Sequence, residues 1–126
     1  MKTIITTKNA PSPIGPYSQA VLTGNTLYTS GQIAINPETN MLVSEDIKTE
    51  TKQVMQNLKA VLEAASMTFD HVIKSSIFIS NMDDFGLIND VYGRYFDAAN
   101  APARETVQVA RLPKNVNVEI SVIAVK

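Results

Sequence analysis

The chain contains no cysteine. Disulfide frameworks, thiolate metal sites and cysteine nucleophiles are therefore excluded together, and any active site must work with oxygen and nitrogen groups. No apolar run approaches the ~20 residues of a membrane span, and the opening Met1-Lys2-Thr3-Ile4-Ile5 lacks the apolar stretch of a secretory signal. The expected location is the cytoplasm. Positive charge is not in excess either: 11 Lys and Arg against 12 Asp and Glu give a formal net charge of −1, and the basic residues are scattered. A nucleic acid is accordingly not expected as the primary partner. The one histidine, His71, lacks the companions that a metal site or a triad base needs. No glycine-rich phosphate loop is present, because Gly24 and Gly31 lie apart in hairpin context rather than before a helix. Neither a nucleotide cofactor nor a metal is expected; the acidic groups at Ser44-Glu45-Asp46 and Met82-Asp83-Asp84 read as helix starts.

What is present is ordinary globular material. The 126 residues are 44% hydrophobic and 18% charged, which suits one domain spanning residues 1–126 with no repeat, linker or low-complexity tract. Residues 9–16, Asn-Ala-Pro-Ser-Pro-Ile-Gly-Pro, cannot run as a helix and predict a stiff loop. A hairpin follows, with arms at 17–22 and 27–33 around a Gly24-Asn25 turn. Apolar residues from Ile47 to Ala65 recur at helical intervals and predict a helix over 46–65. The β-branched run 72–79 predicts a strand. A second helix is expected over 83–96, with Phe85, Ile88, Tyr92, Tyr95 and Phe96 as its apolar stripe, and two last strands over 104–110 and 116–125.

Strand–helix–strand crossovers are almost always right-handed, so both helices should lie on one face of a mixed sheet. In the last strand Val116, Val118, Ile120, Val122 and Ala124 share one face, and Asn117, Glu119, Ser121, Ile123 and Val125 share the other. The first set suits a helix-covered core. The second is too apolar for water and too polar for a monomer's core, and copies of the chain packed on that face account for it.

Six segments, taken together, resemble the RidA/YjgF family: Ala10-Pro11 with Pro13-Ile14-Gly15-Pro16-Tyr17-Ser18-Gln19; Thr29-Ser30-Gly31-Gln32-Ile33; Asn89-Asp90-Val91-Tyr92; Pro102-Ala103-Arg104; Val109-Ala110-Arg111-Leu112-Pro113; and Val118-Glu119-Ile120. They fall in order across nearly the whole chain. The resemblance implies an α+β, chorismate-mutase-like fold, a homotrimer with sites between subunits, and hydrolysis of the 2-imino acids 2-iminobutanoate and 2-iminopropanoate to 2-keto acids. By the same resemblance Arg104 binds the substrate carboxylate and Glu119 orients or activates the hydrolytic water, while Tyr17, Ser30, Gly31, Asn89 and Thr106 line the pocket. One departure stands out. Where many members carry Ser-Cys after the arginine, this chain has Glu105-Thr106; strand alternation puts Glu105 on the face away from Arg104 and Thr106 on the same face.

The residues suit that chemistry. An imine is already electrophilic, so its hydrolysis needs placement, water and proton transfer rather than a covalent nucleophile. An arginine fork engages both oxygens of a carboxylate, which lysine cannot copy. Two other classes fit the same sequence: a binding module for 2-keto or 2-amino acids, which would keep Arg104 but not require Glu119, and a translation inhibitor or chaperone-like protein, for which a basic, aromatic-rich stripe is missing.

Overall fold

The computed structural model describes residues 1–126. Ten elements follow in order: β1 (Lys2–Ile5), β2 (Ala20–Thr23), β3 (Thr26–Thr29), β4 (Ile35–Asn36), β5 (Met41–Leu42), α1 (Ile47–Ala64), β6 (Val72–Ile79), α2 (Phe85–Gly93), β7 (Ala103–Gln108) and β8 (Val118–Val125). Six strands form one mixed sheet in the order β1-β2-β3-β8-β6-β7, and β4 pairs only with β5. Both crossovers behave as the sequence predicts. β6 and β7 are parallel neighbours joined through α2; β3 and β6, joined through α1, are each antiparallel to β8, which lies between them.

Local sequence explains the hairpin and the long helix. Gly24 takes φ +58, the positive φ demanded at the first position of a two-residue turn, and Thr23 pairs with Thr26 across it. α1 is capped by Asp46, whose carboxylate accepts from the Thr49 N–H at 2.8 Å. It ends where Ser66 enters the left-handed region at φ 58 and the Met67 N–H reaches back to the Leu62 carbonyl at 2.9 Å.

The helices cover one face of the sheet. Val54, Met55, Leu58, Val61 and Leu62 of α1, with Ile88 and Tyr92 of α2, are buried in one cluster with Ile77 and Ile79 of β6 and Val118, Ile120, Val122 and Ala124 of β8. Each Val, Leu, Ile or Met among them contributes about 1.5–3 kcal/mol of transfer free energy. The alternation predicted for the last strand is the one observed, including burial of Val116 just before it. On the opposite face Glu119, Ser121, Ile123 and Val125 remain partly accessible, beside the exposed Ile4, Tyr28 and Val107.

The second helix is shorter than the 83–96 stripe predicts. Asn81 caps a separate 3-10 turn, Met82–Asp84, before α2 begins, and after Gly93 the chain tightens into bonds from Tyr95 N–H to Tyr92 and from Phe96 N–H to Gly93. The aromatic stripe continues nonetheless: Phe96 packs 4.7 Å from Tyr92, and Phe69 lies 5.2 Å from Tyr95 between ring centres.

Candidate functional site

The sequence-predicted residues fall into two groups at different places on the sheet. The first gathers around a cleft of about 530 Å³ whose walls include Tyr17, Ser30, Gly31 and Glu119. The proline-containing loop forms one wall. It is held by Gln19, only 3% exposed, whose side-chain carbonyl accepts from the Thr7 N–H at 2.7 Å and whose amide donates to the carbonyls of Thr7, Ala10 and Pro11 at 3.0, 3.2 and 2.9 Å. Ser30, just past β3, donates its hydroxyl to the Ser18 carbonyl. Tyr17 stands half-exposed at the mouth, with its hydroxyl oxygen 3.4 Å from the Ile14 N–H.

Glu119 reaches this cleft from β8. Its neighbour is backbone rather than side chain: a Cβ placed on Gly31 would come within 2.7 Å of the Glu119 carboxyl carbon and 2.8 Å of one carboxyl oxygen. Glycine is what lets the carboxylate lie flat against the chain at that point. Gln32, the next residue, locks the geometry by exchanging backbone hydrogen bonds with Ile120 at 2.8 and 3.1 Å. Glu119 is half-buried and no ion pair offsets it, and burial pushes its carboxyl above the ordinary glutamate range.

The second group is built on β7 and α2. The Arg104 guanidinium donates from Nη1 to the Asn89 side-chain oxygen at 2.6 Å and lies 5.0 Å above the centre of the Tyr92 ring and 5.4 Å from that of Phe85. Tyr92 is itself fixed, since its hydroxyl donates to the buried Ser75 Oγ at 2.9 Å. Burial raises the Tyr92 phenol above its usual range, with the Ser75 bond and the Arg104 charge pulling the other way. Thr106, two residues along from Arg104, has a buried hydroxyl oxygen without a hydrogen-bond partner. Glu105 points to the other face, as alternation predicts, and pairs with Lys74 at 2.9 Å and with the Ser76 hydroxyl. The Ser76 bond first, and Lys74 second, hold its carboxyl below the usual range.

Within one chain the two groups do not meet. Arg104 registers with Ser75 on the helix-covered face, and Glu119 registers with Phe78 on the open face, with β6 between their strands. The cleft accordingly includes Tyr17, Ser30, Gly31 and Glu119 but not Asn89, Arg104 or Thr106. Gln19, Gln32, Ile33 and Pro113 lie in the six segments without a pocket role assigned to them, and Lys114 lies just outside; all five also line the cleft. Gln19 offered a signal, as an amide just after the proline loop. Lys114 and Asn115, in the turn before β8, both adopt φ 56, a conformation that only the folded turn reveals.

The half-buried carboxylate of Glu119 thus lies in a cleft of metabolite size on the open face of a one-sided α+β sheet. Residues 7–126 match the family described as Endoribonuclease L-PSP, and the chain belongs to that family, the RidA/YjgF proteins. It is 52% identical over 124 residues to a protein of Dermatophagoides farinae named 2-iminobutanoate/2-iminopropanoate deaminase, with 98% of this chain and 96% of that one aligned. A Rid-family protein of Yersinia pestis, YyfA, has a structure that superposes at TM-score 0.97 with 51% identity, covering 100% of both chains. The Escherichia coli TdcF structure, solved with bound serine, superposes at 0.92 with 43% identity over 98% of each chain. No helix of the structure is long and apolar enough to cross a membrane.

Proposed function

We propose that this protein is a cytoplasmic homotrimer of chorismate-mutase-like subunits that hydrolyses short 2-imino acids, such as 2-iminobutanoate and 2-iminopropanoate, to 2-keto acids and ammonia. The observation that supports this reading is the separation of two groups within one chain, a carboxylate-bearing cleft on the open face of the sheet and, on the other face, an arginine held against two aromatic rings. Packing the open sheet face of one protomer against the β7 edge of its neighbour would join them. The deaminase name of the Dermatophagoides relative supports the activity, and the serine in TdcF supports an amino-acid-sized ligand.

In this reading Arg104 grips the substrate carboxylate through paired charge-assisted hydrogen bonds, each contributing about 1.5–3 kcal/mol. Glu119 takes a proton from water as the oxygen adds to the imine carbon. It returns that proton to nitrogen to give the carbinolamine, then takes the hydroxyl proton and passes it to nitrogen as the C–N bond breaks, so that ammonia leaves and the keto oxygen forms. A carboxyl raised by burial is the better general base and acid for these transfers. Tyr17, Ser30, Gly31, Asn89 and Thr106 border the combined pocket, and the reaction as written uses no metal or cofactor.

The test is complementation. Arg104→Ala and Glu119→Gln chains are each assayed for 2-ketobutyrate release from imine generated by a threonine dehydratase, then co-expressed and assayed again. Sites that draw Arg104 from one chain and Glu119 from another recover about a quarter of wild-type activity by random assembly. No acceleration by the wild-type protein over the dehydratase alone would remove the enzyme reading. The bound serine of TdcF favours one second reading, a non-catalytic binder; then Glu119→Gln and wild type bind 2-ketobutyrate equally and neither accelerates its release.

A further inference from the structure

We propose that Tyr92, with Phe85, is the platform that aims Arg104, so that this half of the site is preorganised inside a single protomer. The proposal rests on Arg104 being the carboxylate grip and concerns how that grip is held. Arginine is a long side chain with many rotamers, and a surface copy on an edge strand has no reason to hold one direction. Here three contacts hold it. Tyr92 and Phe85 present ring faces 5.0 and 5.4 Å from the guanidinium carbon, and Asn89 accepts from Nη1 at 2.6 Å.

The platform is anchored back to the strand beside Arg104. Tyr92 donates to Ser75 Oγ at 2.9 Å, and Ser75 is the residue that registers with Arg104 across the β6–β7 ladder. Arg104, its strand partner Ser75, the Tyr92 hydroxyl and the Tyr92 ring thus close a loop, and the ring cannot shift without breaking a buried hydrogen bond.

The choice of aromatic partners matters chemically. A ring face attracts the cation but takes none of its in-plane N–H groups and does not neutralise it, as an aspartate would. Arg104 makes no salt bridge in this chain. Of its five N–H donors, one goes to Asn89 and the others stay in the guanidinium plane for a planar acid. Asn89 therefore acts on the substrate through Arg104, and Tyr92 is a positioning residue.

The experiment measures binding of unreactive 2-ketobutyrate by calorimetry, together with kcat and KM for the imine. Tyr92→Leu is expected to weaken 2-ketobutyrate binding and raise KM by about 5- to 30-fold, the worth of a cation–π contact once the bound acid and the neighbouring subunit cover it, with kcat changed less than about threefold. Tyr92→Phe keeps the ring, so affinity stays within about threefold of wild type while the lost Ser75 bond lowers the melting temperature. In an Arg104→Ala background Tyr92→Leu should add no further loss. Wild-type affinity in Tyr92→Leu, or an undiminished loss in the Arg104→Ala background, overturns the platform. If Arg104→Ala itself binds 2-ketobutyrate like wild type, the carboxylate grip fails and the platform has nothing to aim. Should Tyr92→Leu not fold, Phe85→Leu at the half-buried start of α2 carries the test, with a loss of about two- to fivefold expected and no loss overturning it.

Discussion

Arg104 and Glu119 are held by opposite means. The arginine lies on an edge strand, clamped by side chains that all come from the neighbouring helix, and its charge stays accessible. The glutamate lies on a central strand, against bare backbone, and its properties come from lost water. A cation on an exposed fork needs direction more than tuning, because its charge is permanent in the working pH range. A carboxylate that must take and return a proton needs its affinity for that proton adjusted, and partial burial does this without a charged neighbour.

Substitutions at the two centres should separate these roles. Arg104→Ala is expected to lower kcat/KM by about 10²- to 10⁴-fold, the loss of two charge-assisted hydrogen bonds, and to weaken 2-ketobutyrate binding to a similar degree. Glu119→Gln is expected to lower kcat by about 10²- to 10⁴-fold with that binding retained. A common loss of binding would merge the two roles into one. Gly31→Ala comes next: the new Cβ would meet the Glu119 carboxyl at 2.7 Å, and displacing that group should lower kcat by about 10- to 100-fold while the circular-dichroism spectrum stays unchanged.

The loop that walls the carboxylate half depends on one amide, and the arginine half does not. Gln19→Ala should therefore cost about 1–3 kcal/mol of stability by denaturant titration and disturb the cleft, yet leave the Arg104–Asn89 contact in a crystal structure intact.

The pH dependence follows from the raised carboxyl. Glu119 must be ionised to accept a proton, so the acid limb of kcat should lie above the ordinary glutamate range and vanish in Glu119→Gln. Stability runs the other way. A group whose folded pKa is raised supports the fold below its unfolded pKa, and that support is lost as pH rises through the folded value. Thermal melts of wild type should consequently lose ground to Glu119→Gln across that window, and coincident curves at every pH would remove the desolvation account. The smallest effect is expected far from both halves: Ser66→Gly, at φ 58, should stabilise by about 0.5–1 kcal/mol through relief of a left-handed serine, with activity unchanged.

How much was legible depended on whether the signal was local. β6 occupies the predicted 72–79, and α1 falls within one residue of the predicted 46–65, because β-branching, helical periodicity and the Asp46 cap all act along the chain. β1 was not visible: Lys2–Ile5 is a strand only because β2 pairs with it. The β4–β5 ladder, two residues on each side, carries no period at all. For the second helix the period persisted while the hydrogen bonding changed, since aromatic side chains can keep packing through a tightened turn. At the site, the faces of Arg104, Glu105, Thr106 and Glu119 followed from alternation. What alternation could not supply was the clamp on Arg104, because strand and helix periods say nothing about where a long polar side chain comes to rest.

The position of β8 also bears on how the molecule is made. It follows every other element in the chain, yet it lies between β3 and β6. Without it the other strands of the sheet fall into two groups, β1-β2-β3 and β6-β7, with no direct pairing between them. Closing the sheet therefore requires this strand to pair on both sides, a long-range and slow kind of pairing. A premature stop that removed this strand would leave not a trimmed protein but two aggregation-prone fragments joined by a helix.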